Sequence, residues 1–317
     1  MTLKSDKNKR YTSEVVQVVA ASNSLYVPYL ATMIRSIMEY ISDVHQYVFT
    51  IMHTDISSAY QIELQNMVEE VVNCSIKFIN VSEEMQSYAE LFISNHIKIE
   101  TYYRLLLPKL MPDVDKVLYV DCDVIANTDI YALYKINIDD YYLAGTRDAD
   151  SAANYVTDFD YKTYIDTVVQ LPNPYEYFQA GIILMNLKKF RESCNTKKML
   201  DTAMSRQWRF HDQDTLNYLC KGNVYFVDYA WNFVYDYCDN FRRSKNVIIN
   251  APHYIMTDYM RAKENPKMIH YSWVNKPWFS PGVHYGEKFW MMARKTPFYN
   301  EMLWRVGLDL GNYILNN

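Results

Sequence analysis

The sequence predicts an α/β chain with a central, mostly parallel sheet flanked by helices. Three observations carry that reading. Short apolar runs alternate with helical periods between residues 14 and 81, the pattern of strands joined by crossover helices. Half of the 317 residues are hydrophobic and 22% are charged, enough apolar material for a sizeable core. The seven glycines never form a GxG pattern, so neither a dinucleotide-binding loop nor a P-loop is available to organise the fold around phosphate.

Taken in order, Glu14 to Ala20 reads as a buried strand that ends in the polar turn Ala21-Ser22-Asn23-Ser24. From Tyr26 to Ile41 the apolar positions Leu30, Met33, Ile34, Ile37, Met38 and Ile41 keep a helical period. Tyr47 to Met52 is a second strand, Ser57 to Val72 a second helix, and Ser75 to Val81 alternates as a third strand. Ile99 to Leu110 predicts a helix ending near Pro108, with Arg104 among apolar neighbours. A buried arginine needs an anionic partner, either a local carboxylate or a ligand. Tyr142 to Thr146 is a short strand leading to Arg147-Asp148-Ala149-Asp150. Residues 151–177 are polar and tyrosine-rich and read as a long loop with at most one helix, a length that is often functional. Phe178-Gln179-Ala180-Gly181 precedes an apolar strand, Ile182 to Asn186. Asp212-Gln213-Asp214 opens a helix through Leu219, with Asp212 as its N-cap. Met268 to Tyr271 is a late strand, followed by Lys276-Pro277-Trp278.

A single domain is expected over residues 14–281, after a flexible tail at 1–13. Residues 282–317 read as a helical extension with much apolar surface, including Trp290, Met292, Phe298, Met302 and Trp304. Such helices either dock on the main domain or lie on a membrane surface. Four basic residues against three acids make a weak case for lipid and favour docking.

Composition narrows the partners. A net charge of −5 argues against nucleic acid. Five cysteines (Cys74, Cys122, Cys194, Cys220, Cys238), odd in number and without CxxC spacing, point to reduced thiols rather than disulfides or zinc. The polar, basic first residues lack an apolar signal core, and no run of about 18 apolar residues occurs. The expected location is the cytoplasm, with peripheral contact at the inner face of the plasma membrane left open by the extension. Thirty tyrosines and six tryptophans suit stacking on bases or sugar rings.

The most informative stretch is Lys116 to Ile125, a buried strand running into Asp121-Cys122-Asp123. Side chains alternate along a strand, so the two acids project together. Either they form a metal site, since hard cations take oxygen ligands, or they face water at a strand end. The motif alone leaves both readings open. The other polar residues at strand and helix ends are Asp148, Asp212, Gln213, His270 and Lys276. Two carboxylates and an imidazole suit Mn²⁺, or Mg²⁺ as a substitute, better than Ca²⁺ or Zn²⁺. Lys276 would neutralise phosphate charge that the metal leaves over.

Four segments, in order, resemble the family 8 retaining glycosyltransferases: Glu100 to Ile130 (ETYYRLLLPKLMPDVDKVLYVDCDVIANTDI), Phe178 to Arg191 (FQAGIILMNLKKFR), Asp212 to Asn217 (DQDTLN) and His270 to Trp278 (HYSWVNKPW). The resemblance implies a GT-A nucleotide-sugar-binding domain that takes a UDP-hexose (UDP-glucose or UDP-galactose) and Mn²⁺. It implies Asp121, Asp123 and His270 as metal ligands and Lys276 as the diphosphate-binding lysine. Arg104, Asp148, Asp212 and Gln213 fall on the positions that hold the donor sugar, the last three of them as the catalytic residues. Ala20, Ser22, Asn23, Tyr26, Asp121, Cys122, Gln179 and Ala180 fall on the donor-binding surface. Three departures touch that surface. Ser22-Asn23-Ser24-Leu25-Tyr26 stands where the family has an acid for uracil, Gln179 replaces an asparagine, and Trp273 replaces a glycine. The implied acceptor is a glycan, a lipid-linked sugar or a glycoprotein, as in lipopolysaccharide or capsule assembly. Competing readings are a degenerate nucleotide-sugar-binding scaffold, a self-glucosylating initiator and a haloacid-dehalogenase-like phosphatase. The last expects its DxD at the start of the domain.

Overall fold

The computed structural model describes residues 14–88, 99–235, 247–272 and 274–315. Trp273, Cys238 and the expected tail lie outside them. The first segment runs β1 (Val15–Ala21), α1 (Val27–Met38), β2 (Gln46–His53), α2 (Ser58–Glu69), β3 (Cys74–Asn80) and the short α3 (Ser82–Gln86). Next come α4 (Leu107–Leu110), β4 (Lys116–Val120), β5 (Val124–Ala126), α5 (Tyr131–Tyr134), β6 (Leu143–Arg147), α6 (Ala149–Thr157) and α7 (Phe159–Tyr164). β7 (Phe178–Asn186), α8 (Leu187–Ser193), α9 (Thr196–Met204), α10 (His211–Cys220), β8 (Val224–Phe226) and β9 (Phe233–Val234) follow. The chain closes with α11 (His253–Glu264), β10 (Met268–His270), α12 (Gly286–Ala293) and α13 (Tyr299–Leu315).

The main sheet has seven strands in the order β3-β2-β1-β4-β7-β6-β8, and it is mostly parallel, as the alternating pattern predicted. β1 pairs in parallel with β2 and β4, while β7 runs antiparallel between β4 and β6. A second sheet of three strands, β5-β10-β9, lies alongside. Its central strand pairs antiparallel with β5, His270 opposite Val124, and in parallel with β9, His270 opposite Val234. The buried faces of β1, β2 and α1 build the larger core cluster. β4, β7 and α10 contribute to a second.

The structure corrects four local expectations. Residues 151–177 are mostly helical: α6, α7 and a π-turn at Ile165–Val169 occupy the stretch read as loop. Its tyrosines bury their rings, with Tyr161, Tyr164 and Tyr177 packed on Ile165 and Val169, so residues counted as polar act as core. Ile99–Leu106 forms a 3₁₀ helix, and the α-turn begins only at Leu107, with Pro108 in its first turn. Asp212 is not an N-cap; it lies inside α10, whose cap position is Phe210. Asp121 and Asp123 sit on the turn between β4 and β5 rather than on a strand.

The last two helices dock. Trp278 stacks on Tyr29 of α1 with ring centroids 3.8 Å apart, and Phe289 of α12 lies 5.2 Å from Trp278. Met302 of α13 is fully buried, Glu301 accepts from Tyr60 of α2 at 3.1 Å, and Lys295 pairs with Glu39 at 2.6 Å. No described helix is long and apolar enough to cross a membrane. Cys74, Cys122, Cys194 and Cys220 are buried free thiols.

Candidate active site

The site is built where the two sheets meet. The β4–β5 turn leaves the main sheet with Asp121 N–H bonded to Gly181 O at 2.8 Å, which continues the β4–β7 ladder. It enters the small sheet through Tyr271 N–H, which donates to Asp123 O at 2.9 Å beside the β5–β10 pairing. One turn therefore ties both acids between Gly181 and His270. His270 Nε2 lies 3.2 Å from Asp123 Oδ1 and 3.9 Å from Asp121 Oδ2. One ligating atom from each of the three residues falls within 4.8 Å of the others. Two carboxylate oxygens and an imidazole nitrogen are a donor set that fits a hard-to-intermediate divalent cation. The room for it depends on Gly181: a Cβ there would lie 2.2 Å from His270 Cε1 and 2.8 Å from Asp121 Oδ2.

Fixed cations flank the acids. Buried Arg104 reaches Asp121 Oδ1 at 2.9 Å and Asp212 Oδ2 at 2.9 Å, and donates to Ala180 O at 2.5 Å. Arg104 thus has the anionic partners that its apolar neighbourhood demanded, and both are local carboxylates. Lys276 Nζ contacts Asp123 Oδ2 and donates to Tyr271 O at 2.5 Å. The electrostatic outcome differs between the acids. Burial pushes the Asp121 carboxyl above its ordinary range, only partly offset by Arg104. Burial also acts against ionised Asp123, but the Lys276 ammonium beside it outweighs that cost and holds the carboxyl below its ordinary range. Asp212 is raised by burial against the pull of Arg104 and the Thr101 hydroxyl.

α10 lies across the start of β7 and fixes the sugar-side candidates. Asn217 accepts from Phe178 N–H at 2.8 Å and donates to Phe178 O at 2.9 Å. Gln213 Oε1 accepts from Ala180 N–H at 2.9 Å, and its Nε2 donates to Asp148 Oδ2 at 3.2 Å and Tyr177 Oη at 3.3 Å. Asp148 is also the N-cap of α6, accepting from Ser151 N–H at 3.0 Å. Asp212 Oδ1 accepts from Thr101, while its buried Oδ2 has the Arg104 charge nearby but no hydrogen-bond donor. His211, just before Asp212, holds φ at 49°, a left-handed conformation uncommon outside glycine.

The end of β1 carries the remaining candidates. Ala20 and Ser22 are buried, and Ser22 N–H donates to Met52 O at 3.0 Å. Asn23 caps a 3₁₀ turn: its Oδ1 accepts from Tyr26 N–H at 3.1 Å and its Nδ2 donates to Glu100 Oε1 at 2.7 Å. Cys122 Sγ lies 3.1 Å from Ala21 O, and burial pushes its thiol well up. Gln179 Oε1 accepts from Gly181 N–H at 2.6 Å and from Asn232 Nδ2 at 2.7 Å. Sequence reasoning missed Asn232, Thr101 and Tyr177 altogether. Asn232 lies in Tyr-Ala-Trp-Asn-Phe, which carries no motif and acquires a role only through the pairing of β9 with β10.

A mostly parallel sheet whose acid-bearing turn leads into a small second sheet is the architecture of the GT-A glycosyltransferases. The chain belongs to glycosyl transferase family 8, whose profile matches residues 17–282. It is similar to glycosyltransferase GlyF of Streptococcus pneumoniae, 25% identical over 87% of this chain and 60% of that protein. It is 26% identical to the lipopolysaccharide 1,2-glucosyltransferase of Escherichia coli over 61% of this chain and 53% of that one. The chain thus spans little more than half the length of these two relatives. Among solved structures, the bifunctional glycosyltransferase WbbM superposes with a TM-score of 0.81, covering 92% of this chain and 51% of that one at 24% identity. The galactosyltransferase LgtC, solved with donor and acceptor sugar analogues, gives 0.70 at 25% identity, covering 89% of this chain and 96% of that one.

Proposed function

We propose that the chain is a retaining hexosyltransferase. It moves glucose or galactose from a UDP-sugar to a glycan, lipid-linked or glycoprotein acceptor, and depends on Mn²⁺ with Mg²⁺ as a substitute. One observation carries the reading: Asp121, Asp123 and His270 converge within 4.8 Å beside Lys276 in a family 8 chain. Asp121, Asp123 and His270 would hold the cation, which when bound supplies Lewis-acid stabilisation of charge on a departing diphosphate. Lys276, once the cation takes over its contact with Asp123, would add a positive charge for the phosphate oxygens, an effect that contributes several kcal/mol in sites of this kind. Ala20, Ser22, Asn23, Tyr26 and Cys122 border the nucleoside end, and Gln179 and Ala180 the sugar end.

Asp148 and Asp212 accept from the sugar hydroxyls. Gln213 stands nearest the anomeric carbon. Its amide is a poor nucleophile, which favours attack by the acceptor hydroxyl on the face from which the diphosphate departs. The bond from the anomeric carbon to the phosphate oxygen breaks as the bond to the acceptor oxygen forms. The acceptor's proton passes to the leaving phosphate, and configuration is retained. The test is a thermal-shift screen of UDP-sugars with and without Mn²⁺, since a ligand that binds the folded chain raises its melting temperature. Asp123→Ala should stay folded and lose Mn²⁺-dependent UDP release. Wild-type turnover in that variant would refute the assignment.

A further inference from the structure

We propose that Asn232 and Gln179 are positioning residues for His270: together they fix its imidazole with the proton on Nδ1 and present Nε2 to Asp121 and Asp123. The inference rests on reading those three residues as a cation site, and its anchor is a backbone group. Gly181 N–H can only donate, and it lies 2.6 Å from the Gln179 side chain. The Gln179 atom there must be its carbonyl oxygen. That same oxygen is 2.7 Å from the Asn232 side chain, so Asn232 must turn its NH₂ toward Gln179. Its own carbonyl oxygen then faces His270 Nδ1 at 3.0 Å, and only a protonated Nδ1 satisfies it. Nε2 is then the ring nitrogen left on the side of the acids, 3.2 Å from Asp123 Oδ1, where it would offer its lone pair to a shared cation.

An amide flip or a tautomer choice is ordinarily an assignment made from the surrounding network; here one N–H that cannot flip decides all three. The relay is also sealed. Asn232 and His270 are each 2% exposed, so water does not compete for either bond. Gln179 is long enough to meet Gly181 N–H and Asn232 at once. An asparagine in its place is one methylene shorter.

The test compares wild type with Asn232→Leu, Asn232→Asp, Gln179→Leu and Gln179→Glu. Two readouts are used: Mn²⁺ affinity by titration calorimetry, and the His270 ring protons by NMR in metal-free protein. Asn232→Leu should weaken Mn²⁺ binding by about 10- to 100-fold, the usual effect of losing a partner behind a metal ligand. Asn232→Asp keeps the acceptor on Nδ1 and should bind at least as tightly as wild type. Gln179→Leu should weaken binding less than Asn232→Leu, and Gln179→Glu should restore it. The spectrum should show a slowly exchanging Nδ1–H in wild type that disappears in Asn232→Leu. Mn²⁺ affinity in Asn232→Leu within twofold of wild type, or equal losses in Asn232→Leu and Asn232→Asp, overturns the relay. A wild type that binds no Mn²⁺ overturns the cation site instead, and the Nδ1–H signal then judges the relay alone: its absence from wild type refutes it.

Discussion

Gly181→Ala is the substitution that most directly probes how the site is assembled. The added Cβ would lie 2.2 Å from His270 Cε1, 2.9 Å from its Nδ1 and 2.8 Å from Asp121 Oδ2. Neither neighbour is a free end. The imidazole is buried and bonded to Asn232, and Asp121 is held by Arg104 at 2.9 Å. The backbone at residue 181 is not left-handed, so alanine brings no conformational strain and the effect is purely one of crowding. To regain ordinary contact the ring must retreat by about 1 Å, a displacement that costs on the order of 100-fold when it misplaces a catalytic group. Overpacking of this kind destabilises by roughly 1–3 kcal/mol. A chain of this size should therefore melt a few degrees lower, at roughly 2–4 °C per kcal/mol.

The expected phenotype is a folded protein with a modest melting loss and a severe loss at the metal. Mn²⁺ affinity should fall by at least about tenfold, because ligand geometry must hold to about 0.5 Å. Melting in EDTA, calorimetric Mn²⁺ titration and UDP release separate the two effects. A variant that binds Mn²⁺ and turns over as wild type does would show that His270 and Asp121 have slack the geometry denies, and the cradle argument would fall.

Three further outcomes follow from the same geometry. Arg104→Met strips the cation from buried Asp212 and half-buried Asp121, and should cost roughly 3–5 kcal/mol in urea unfolding with EDTA present; a loss below about 1 kcal/mol contradicts the pairing. His53 Nδ1 accepts from Ile56 N–H at 3.1 Å, and burial holds its pKa below the ordinary histidine value. The unfolded chain then binds the proton more readily, so stability should fall as pH drops through about 6.5, by at most about 1.4 kcal/mol per pH unit. His53→Gln should flatten that slope, and an unchanged slope would acquit the residue. UDP and Mn²⁺ should each tighten the other's binding by one common factor, as linkage requires; equal UDP affinity in Mn²⁺ and in EDTA would exclude a shared site.

Legibility in the sequence followed the range of the interactions. β1, α1, β2, α2 and β3 were readable because the apolar pattern that marks each one is local to its own segment. The pair Asp121 and Asp123 was visible as spacing, and His270 and Lys276 as a later cluster, but nothing in the chain reveals that a turn ties them to Gly181 and Asn232. That juxtaposition comes from β10 pairing with β5, more than a hundred residues earlier, and with β9, which lies just beyond the Asn232 turn. The tyrosine-rich stretch failed for a different reason. Tyr161, Tyr164 and Tyr177 bury rings while their hydroxyls find partners, Tyr164 and Tyr177 on Asp214 and Tyr161 on Ser151. A polar count cannot anticipate such residues inside a core. Asp212 was misplaced as a cap because a helix-opening Asp and a charge partner for Arg104 share one sequence signal.

Charge explains why these parts must share one place. Among the described residues, Asp121, Asp123 and Asp212 meet two cations, Arg104 and Lys276, and each cation is already held by an acid. The nucleoside diphosphate of the proposed donor would bring more negative charge to the same end of the sheet. Neither cation could turn to it without abandoning a buried or half-buried carboxylate, at a cost of several kcal/mol per ion. Glycine-rich backbone, the other common means of holding phosphate, is missing from this sequence. A divalent cation across Asp121, Asp123 and His270 resolves the conflict. It would compensate the paired acids directly, leave Arg104 to Asp121 and Asp212, and release Lys276 from Asp123 for the phosphates. The Lys276–Asp123 contact and the diphosphate role proposed for Lys276 are thus consistent, since the same flexible side chain would serve both, with the cation deciding between them.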